Sequence, residues 1–377
     1  MKKIISAALV GTIFFFLGCA STPKKKEPAI FFPPAPELPR IQYLTSFAGL
    51  KDVEKQSSFN RFVVGEKQNL RLDKPYGVGI YDGKIYVCDT NTTVVVLDLK
   101  KRSYSALAGA IKGPGKLLQP VNISIEDDGT KYVADPVRGQ VVVFDKNDAY
   151  VKAYGIPQNW RPVDAVAFGD RLYVADIVNG LIKVFDKASG ELVKTIGDKG
   201  EPSERLDRPS NVTFDREGYL YVTDIGRFQV VKFDRDGHFK ATIGSAGDNW
   251  GHFARPKGIA IDKEGKTYVA DAAFNNVQVF NKEGRLLLFF GEGGTDAGQF
   301  TLPAKVVIDY NNLSYFQKYA QPDFKIDYLL LVTSQLGERS VSVLAYGKQK
   351  GARYPTDEDL LKQIEEKKKK LEKQSKP

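Results

Sequence analysis

An all-β fold, a six-bladed propeller, is what this 377-residue sequence predicts, on three observations. One line of residues recurs along the chain. Its spacing suits one four-stranded blade. A segment ahead of the first copy has the look of the one strand that the last copy lacks.

The recurring line is a Pro, two residues, an alternating apolar strand, a turn, Tyr-Val-x-Asp, a polar loop and Val-x-Val-Phe-Asp. It runs from Pro75 through Tyr86-Val87-Cys88-Asp89 to Val94-Val95-Val96-Leu97-Asp98. It returns at Pro120 with Tyr132-Val133-Ala134-Asp135, at Pro162 with Tyr173-Val174-Ala175-Asp176, at Pro209 with Tyr221-Val222-Thr223-Asp224 and at Pro256 with Tyr268-Val269-Ala270-Asp271. Pro303 opens a sixth copy, in which Leu331-Val332-Thr333-Ser334 replaces the Tyr-Val-x-Asp motif. Successive prolines lie 45, 42, 47, 47 and 47 residues apart, room for four short strands and their turns. Asp215-Arg216-Glu217-Gly218, Asp262-Lys263-Glu264-Gly265 and Asp234-Arg235-Asp236-Gly237 read as tight hairpin connections. The sixth copy has no convincing fourth strand after Val341-Ser342-Val343-Leu344. Ile41 to Gly49 has that strand's look and no blade of its own, so it is expected to close the ring and remove an exposed edge.

Over residues 41 to 347 this pattern resembles NHL repeats, and the resemblance implies a six-bladed ring that binds proteins or other polymers through one face. The domain reading is residues 1–18 a signal peptide, 19–40 a tether, 41–350 the propeller and 351–377 a charged helical tail. Lys2 and Lys3 precede an apolar stretch from Ile4 to Leu17 that ends at Phe16-Leu17-Gly18-Cys19, which reads as a lipobox with Cys19 the lipidated residue. The apolar run falls short of the ~20 residues of a spanning helix. Ala20 stands where an inner-membrane retention signal would place Asp, so resemblance to bacterial lipoproteins implies an outer-membrane anchor. Prolines from Pro23 to Pro39 suit a semi-rigid tether. Thr356 with Asp359 reads as a capping box opening the tail helix, and Lys367 to Lys370 suit its C-terminal end.

The formal charge is +9, which suits anionic partners such as acidic proteins, glycans or headgroups. Export and lipidation argue against nucleic acid. A disulfide is excluded once Cys19 is acylated, because Cys88 is the only other cysteine. Cys88 lies in an apolar strand and reads as a small core residue. The chain has two histidines, too few for a His-rich zinc centre.

Four sets of residues merit attention as sites. The Asp of each Tyr-Val-x-Asp recurs identically, which is what a structural constraint on the blade produces; its carboxylate can hold loop amides. Just before three consecutive prolines stand Arg161, Arg208 and Arg255, a basic arc able to grip carboxylate or phosphate, or else arginines paired locally. Two positions after the prolines stand Gly77, Asn122, Asp164, Asn211, Gly258 and Lys305. Asn122, Asp164 and Asn211 resemble the metal ligands of gluconolactonase-type propellers. The Glu of that site has no counterpart here, and Lys305 opposes a cation. The sixth copy carries an insertion between Asp309 and Tyr328, whose Tyr315, Phe316 and Tyr319 are candidate partner contacts, or else a loop folded over the closure blade.

The expectation is a monomeric, lipid-anchored, non-enzymatic binding or scaffold propeller of the outer membrane. It would recognise an envelope protein or anionic envelope ligand without a resident cofactor. The alternative is a hydrolase of lactonase type, dependent on a divalent cation held by Asn122, Asp164 and Asn211.

Overall fold

In the computed structural model, residues 28–54, 70–156 and 159–374 are described. The expected signal peptide and Cys19 lie outside the described residues. Six antiparallel sheets form the blades of a propeller. Blades one to five each have four strands in chain order, as in blade three: Pro162–Phe168, Arg171–Asp176, Leu181–Asp186 and Leu192–Ile196. The inner strands are Pro75–Tyr81, Asn122–Ile125, Pro162–Phe168, Pro209–Phe214, Pro256–Ile261 and Pro303–Asp309. Each touches the inner strands of both neighbouring blades, so the ring is closed.

Proline opens five of the six inner strands because a first strand residue needs no ladder donor. It pairs there with the last residue of the motif: Pro162 faces Asp176, Pro209 faces Asp224 and Pro303 faces Ser334. The register slips just after the proline in these strands. The second and third strands are apolar on both faces, since neighbouring blades pack against both. Val94, Val95, Val96 and Leu97 are all at most 4% exposed. Each such side chain contributes roughly 1.5–3 kcal/mol by leaving water.

Closure follows the sequence expectation. Ile41–Phe47 pairs antiparallel with Val341–Gln349, from Ile41 opposite Tyr346 to Phe47 opposite Val341. Blade six thereby joins both ends of the chain in one sheet. Its strands Phe324–Ser334 and Val341–Gln349 are longer than those of the other blades. A fifth strand, Phe31–Phe32, pairs with the start of Ile41–Phe47 on the outer edge.

The described part of the expected tether is therefore docked. Phe31 packs against Phe324, with ring centroids 5.7 Å apart, and Arg40 is 6% exposed. The apolar rings and the Arg40 contact with the Pro355 carbonyl outweigh the freedom of a proline-rich linker. The tail helix, Asp357–Gln374, opens on the expected box: Thr356 N donates to Asp359 Oδ2 and Asp359 N to Thr356 Oγ1. It leans on the body through Leu361, the Lys367–Glu37 ion pair and the bond from Lys368 to the Trp250 carbonyl.

Candidate functional site

The propeller has two faces. Inner strands start on one, here the proline face, and the loops between second and third strands lie there too. Inner strands end on the other, the hairpin face.

On the proline face the motif carboxylates are structural anchors. Asp224 accepts amide hydrogens from Asp207, Arg208, Gly226 and Arg227, at 2.7 to 3.2 Å. Asp89 does the same for Asp73, Lys74 and Asn91, and Asp271 for Ala254, Arg255, Ala273 and Phe274. In blade six Ser334 replaces the carboxylate and takes one such bond, from the Thr301 amide. Each Asp anchor grips the backbone of the residue before its proline and leaves that side chain outside. Arg161, Arg208 and Arg255 are all exposed, as is Lys74. Among the described residues only Arg208 of these has a carboxylate nearby, Asp207 at 3.7 Å. Between them the loops present apolar groups: Leu118, Val137, Val178 and Leu336 are each 53 to 57% exposed and Phe228 37%.

One layer inside, the residues two after the prolines fill the channel. Lys305 of blade six reaches across the ring to blade three, placing Nζ 2.7 Å from Asp164 Oδ2. Asn211 and the Val212 amide donate to the same oxygen, each at 3.1 Å. Asn122 donates to the Val163 carbonyl at 2.8 Å. Round the ring the layer reads Gly, Asn, Asp, Asn, Gly, Lys, symmetric about the axis from Asp164 to Lys305. The two glycines flank the lysine. A Cβ on Gly77 would stand 2.6 Å from Asn122 Cα, and one on Gly258 2.5 Å from Lys305 Cα, so these strands approach too closely for a side chain.

The expected metal ligands are thus neighbours, and the Oδ1 atoms of Asn122 and Asn211 are buried with no hydrogen-bond partner. They nevertheless do not fit a divalent cation. The Lys305 ammonium already sits on Asp164, the sole carboxylate of the set, and would repel a second positive centre. The lactonase-type alternative loses its metal site for that reason.

The ion pair also divides the channel. Below it, toward the hairpin face, lies a cavity of about 670 Å³ whose walls are the aliphatic chains of Val78, Ile80, Ile123, Ile125, Ile259 and Val306. Its mouth is acidic and aromatic, with Asp82, Glu126, Asp309, Tyr81, Tyr310 and Tyr315. Burial pushes the Asp309 carboxyl above its ordinary range although Asn312 donates to it. This cavity escaped the sequence reading, because a channel lined by inner-strand valines and isoleucines looks like any apolar core.

Solved structures match the chain, whereas no family model and no curated protein does. An auxiliary nutrient binding protein from Bacteroides thetaiotaomicron VPI-5482 superposes with a TM-score of 0.56 at 12% identity, over 82% of this chain and 77% of that one. A gluconolactonase from Xanthomonas campestris gives 0.53 at 15%, over 84% and 97%. A streptogramin B lyase gives 0.51 at 13%, over 72% and 93%. At such identities the likeness establishes the six-bladed fold alone. That fold serves enzymes and binding proteins alike.

The insertion separates its aromatics. Phe316, expected as a partner contact, is 1% exposed and packs in the core with Phe47, their ring centroids 6.4 Å apart. The short helix Leu313–Phe316 turns it inward, and Gln42 fastens the loop by bonds to the Tyr319 carbonyl and the Gln321 amide. Tyr315 is half-buried at the cavity mouth. Tyr319 alone of the three is an exposed ring, at 39%.

Two further residues that the sequence reading passed over matter here, Tyr76 and Lys257. Both directly follow a recurring proline, and their signal was a cation and a ring at a position that holds Val121, Val163, Ser210 and Ala304 in the other blades. Lys257 is 5% exposed, with Nζ 4.7 Å from the centre of the Tyr76 ring and 3.3 Å from Gln335 Oε1. Burial, then the charges of Arg255 and Lys74, bring its ammonium down to about 8. Burial and Asp164 push the Tyr76 hydroxyl up to about 12.

Proposed function

We propose that this is a non-enzymatic binding propeller of the NHL-repeat type, held to the cell envelope by a lipid on Cys19, that docks an acidic protein through its proline face. The observation that carries the proposal is the composition of that face. Lys74, Arg161 and Arg255 stand exposed with no carboxylate within 4.0 Å among the described residues, and exposed aliphatic side chains lie in the loops between them. Exposed apolar groups interleaved with arginine are the makings of a protein-binding surface, and the unpaired charge selects an acidic partner. The nutrient-binding neighbour supports a binding role at the level of the fold.

The test places a photo-crosslinking residue at Val178 on the proline face and, separately, at Glu283 on the hairpin face, in the lipidated protein in cells. The expected result is one acidic envelope protein captured at Val178 and not at Glu283. The capture weakens with salt and is lost in Arg161→Glu/Arg208→Glu/Arg255→Glu. Adducts at Glu283 alone, or capture indifferent to the charge reversal, would overturn it.

A further inference from the structure

At one point on the proline face a buried ammonium meets an aromatic ring. Lys257 leaves blade five, arches over blade six and meets the Tyr76 ring of blade one. Its ammonium has three hydrogens to donate, and among the described residues a single hydrogen-bond acceptor, Gln335 Oε1, is within reach. The charged groups that act on it are Arg255 and Lys74, both cationic. None of the three has a carboxylate within 4.0 Å among the described residues. Carboxylates of the adjoining loops and of the layer beneath already have partners. Asp89 and Asp271 accept loop amides, Asp73 accepts from Asn91, and Asp164 holds Lys305. A buried cation among like charges is costly unless something neutralises it.

We propose that Lys257, Lys74 and Arg255, with the Tyr76 hydroxyl as a further donor, form a seat for one anionic group, a carboxylate or an oxyanion such as sulfate or phosphate, at the proline-face mouth of the channel. The ion pair of Lys305 with Asp164 closes the channel beneath, so the anion is held at the mouth. The planar guanidinium of Arg255 offers forked donors, Lys257 a point charge from below and Lys74 an exposed ammonium from blade one. The inference rests on the docking reading in one respect: a partner's acidic side chain is one source of the anion, and a small free anion is the other.

Calorimetric titration of the purified full chain near pH 8, in two buffers of different ionisation enthalpy, tests the seat. The probes are sulfate, which does not titrate there, and a hexaglutamate peptide. Wild type is expected to bind both with uptake of protons, because an anion beside Lys257 restores its ammonium. Lys257→Met should weaken both by about tenfold or more. Lys257→Arg should bind without proton uptake, since a guanidinium stays charged. Binding of both probes unchanged in Lys257→Met, or no binding of either to wild type, would overturn the seat. If hexaglutamate alone binds, insensitive to Lys257 but lost on the triple arginine reversal, the seat fails and the docking face stands. Seat binding together with no adduct at Val178 leaves the seat in place for a small anion and removes the protein partner.

Discussion

Lys305 and Asp164 show what a single layer of side chains does for the ring. Their side chains are 7% and 1% exposed, so each charge depends on the other for its solvation. Asp164→Ala leaves the ammonium buried and unmatched, and should cost about 3–5 kcal/mol in urea unfolding. Asp164→Leu combined with Lys305→Met should cost clearly less than that, because no orphaned charge remains. Equal losses in the two would mean that the pair holds nothing. Lys257 makes a pH prediction of the opposite kind. Its folded ammonium titrates near 8, below the ordinary 10.5, so between those values the folded protein binds fewer protons than the unfolded chain. Stability should therefore gain a rising component from pH 8 to 10.5, and Lys257→Met should remove it. A pH profile identical in the two proteins would contradict the burial of that amine.

Among elements, the strand Ile41–Phe47 has a role out of proportion to its length. It is the fourth strand of blade six, and without it Val341–Gln349 would present an open edge and the ring would lose the hydrogen-bonded clasp between the two ends of the propeller. Deleting residues 28–47 should replace one cooperative unfolding transition by an earlier, broader one accompanied by aggregation, seen by calorimetry and light scattering. The insertion makes a sharper test, because two of its aromatics, Phe316 and Tyr319, have opposite fates. Phe316→Ala should cost about 3–5 kcal/mol as a core truncation, whereas Tyr319→Ala should stay within about 0.5 kcal/mol. Similar losses for the two would place the loop differently. Glycine spacing and turn chemistry announced the hairpins, and the repeated motif announced the blades. The inward turn of Leu313–Phe316 had no such signal, since a tyrosine-rich insertion has the same composition whether its rings face core or solvent.

For the whole molecule, the division of charge between faces follows from the blade's design. The motif Asp clamps the backbone just before each proline and so turns the Arg161, Arg208 and Arg255 side chains outward on one face. Acidic turn residues such as Asp82 and Glu126 ring the cavity on the other. The channel between is blocked by a lysine rather than opened to a metal. Added calcium or zinc should accordingly leave the thermal midpoint unchanged. A rise that disappears in Asp164→Ala would restore the metal-dependent reading.

The sequence by itself determined the number of blades, their strand order, the role of the motif carboxylates, the closing strand and the capped tail helix. All of these are local patterns repeated often enough to be read, or the one complement that a closed ring demands. Only the tertiary structure decided what meets at the centre. Lys305 finds Asp164 across 141 residues, and Lys257 finds Tyr76 over an intervening blade. The repeat places those side chains in a shared layer but does not say which cation takes which acid, because that depends on how far each inner strand reaches toward the axis and on which neighbours, here Gly77 and Gly258, leave it room.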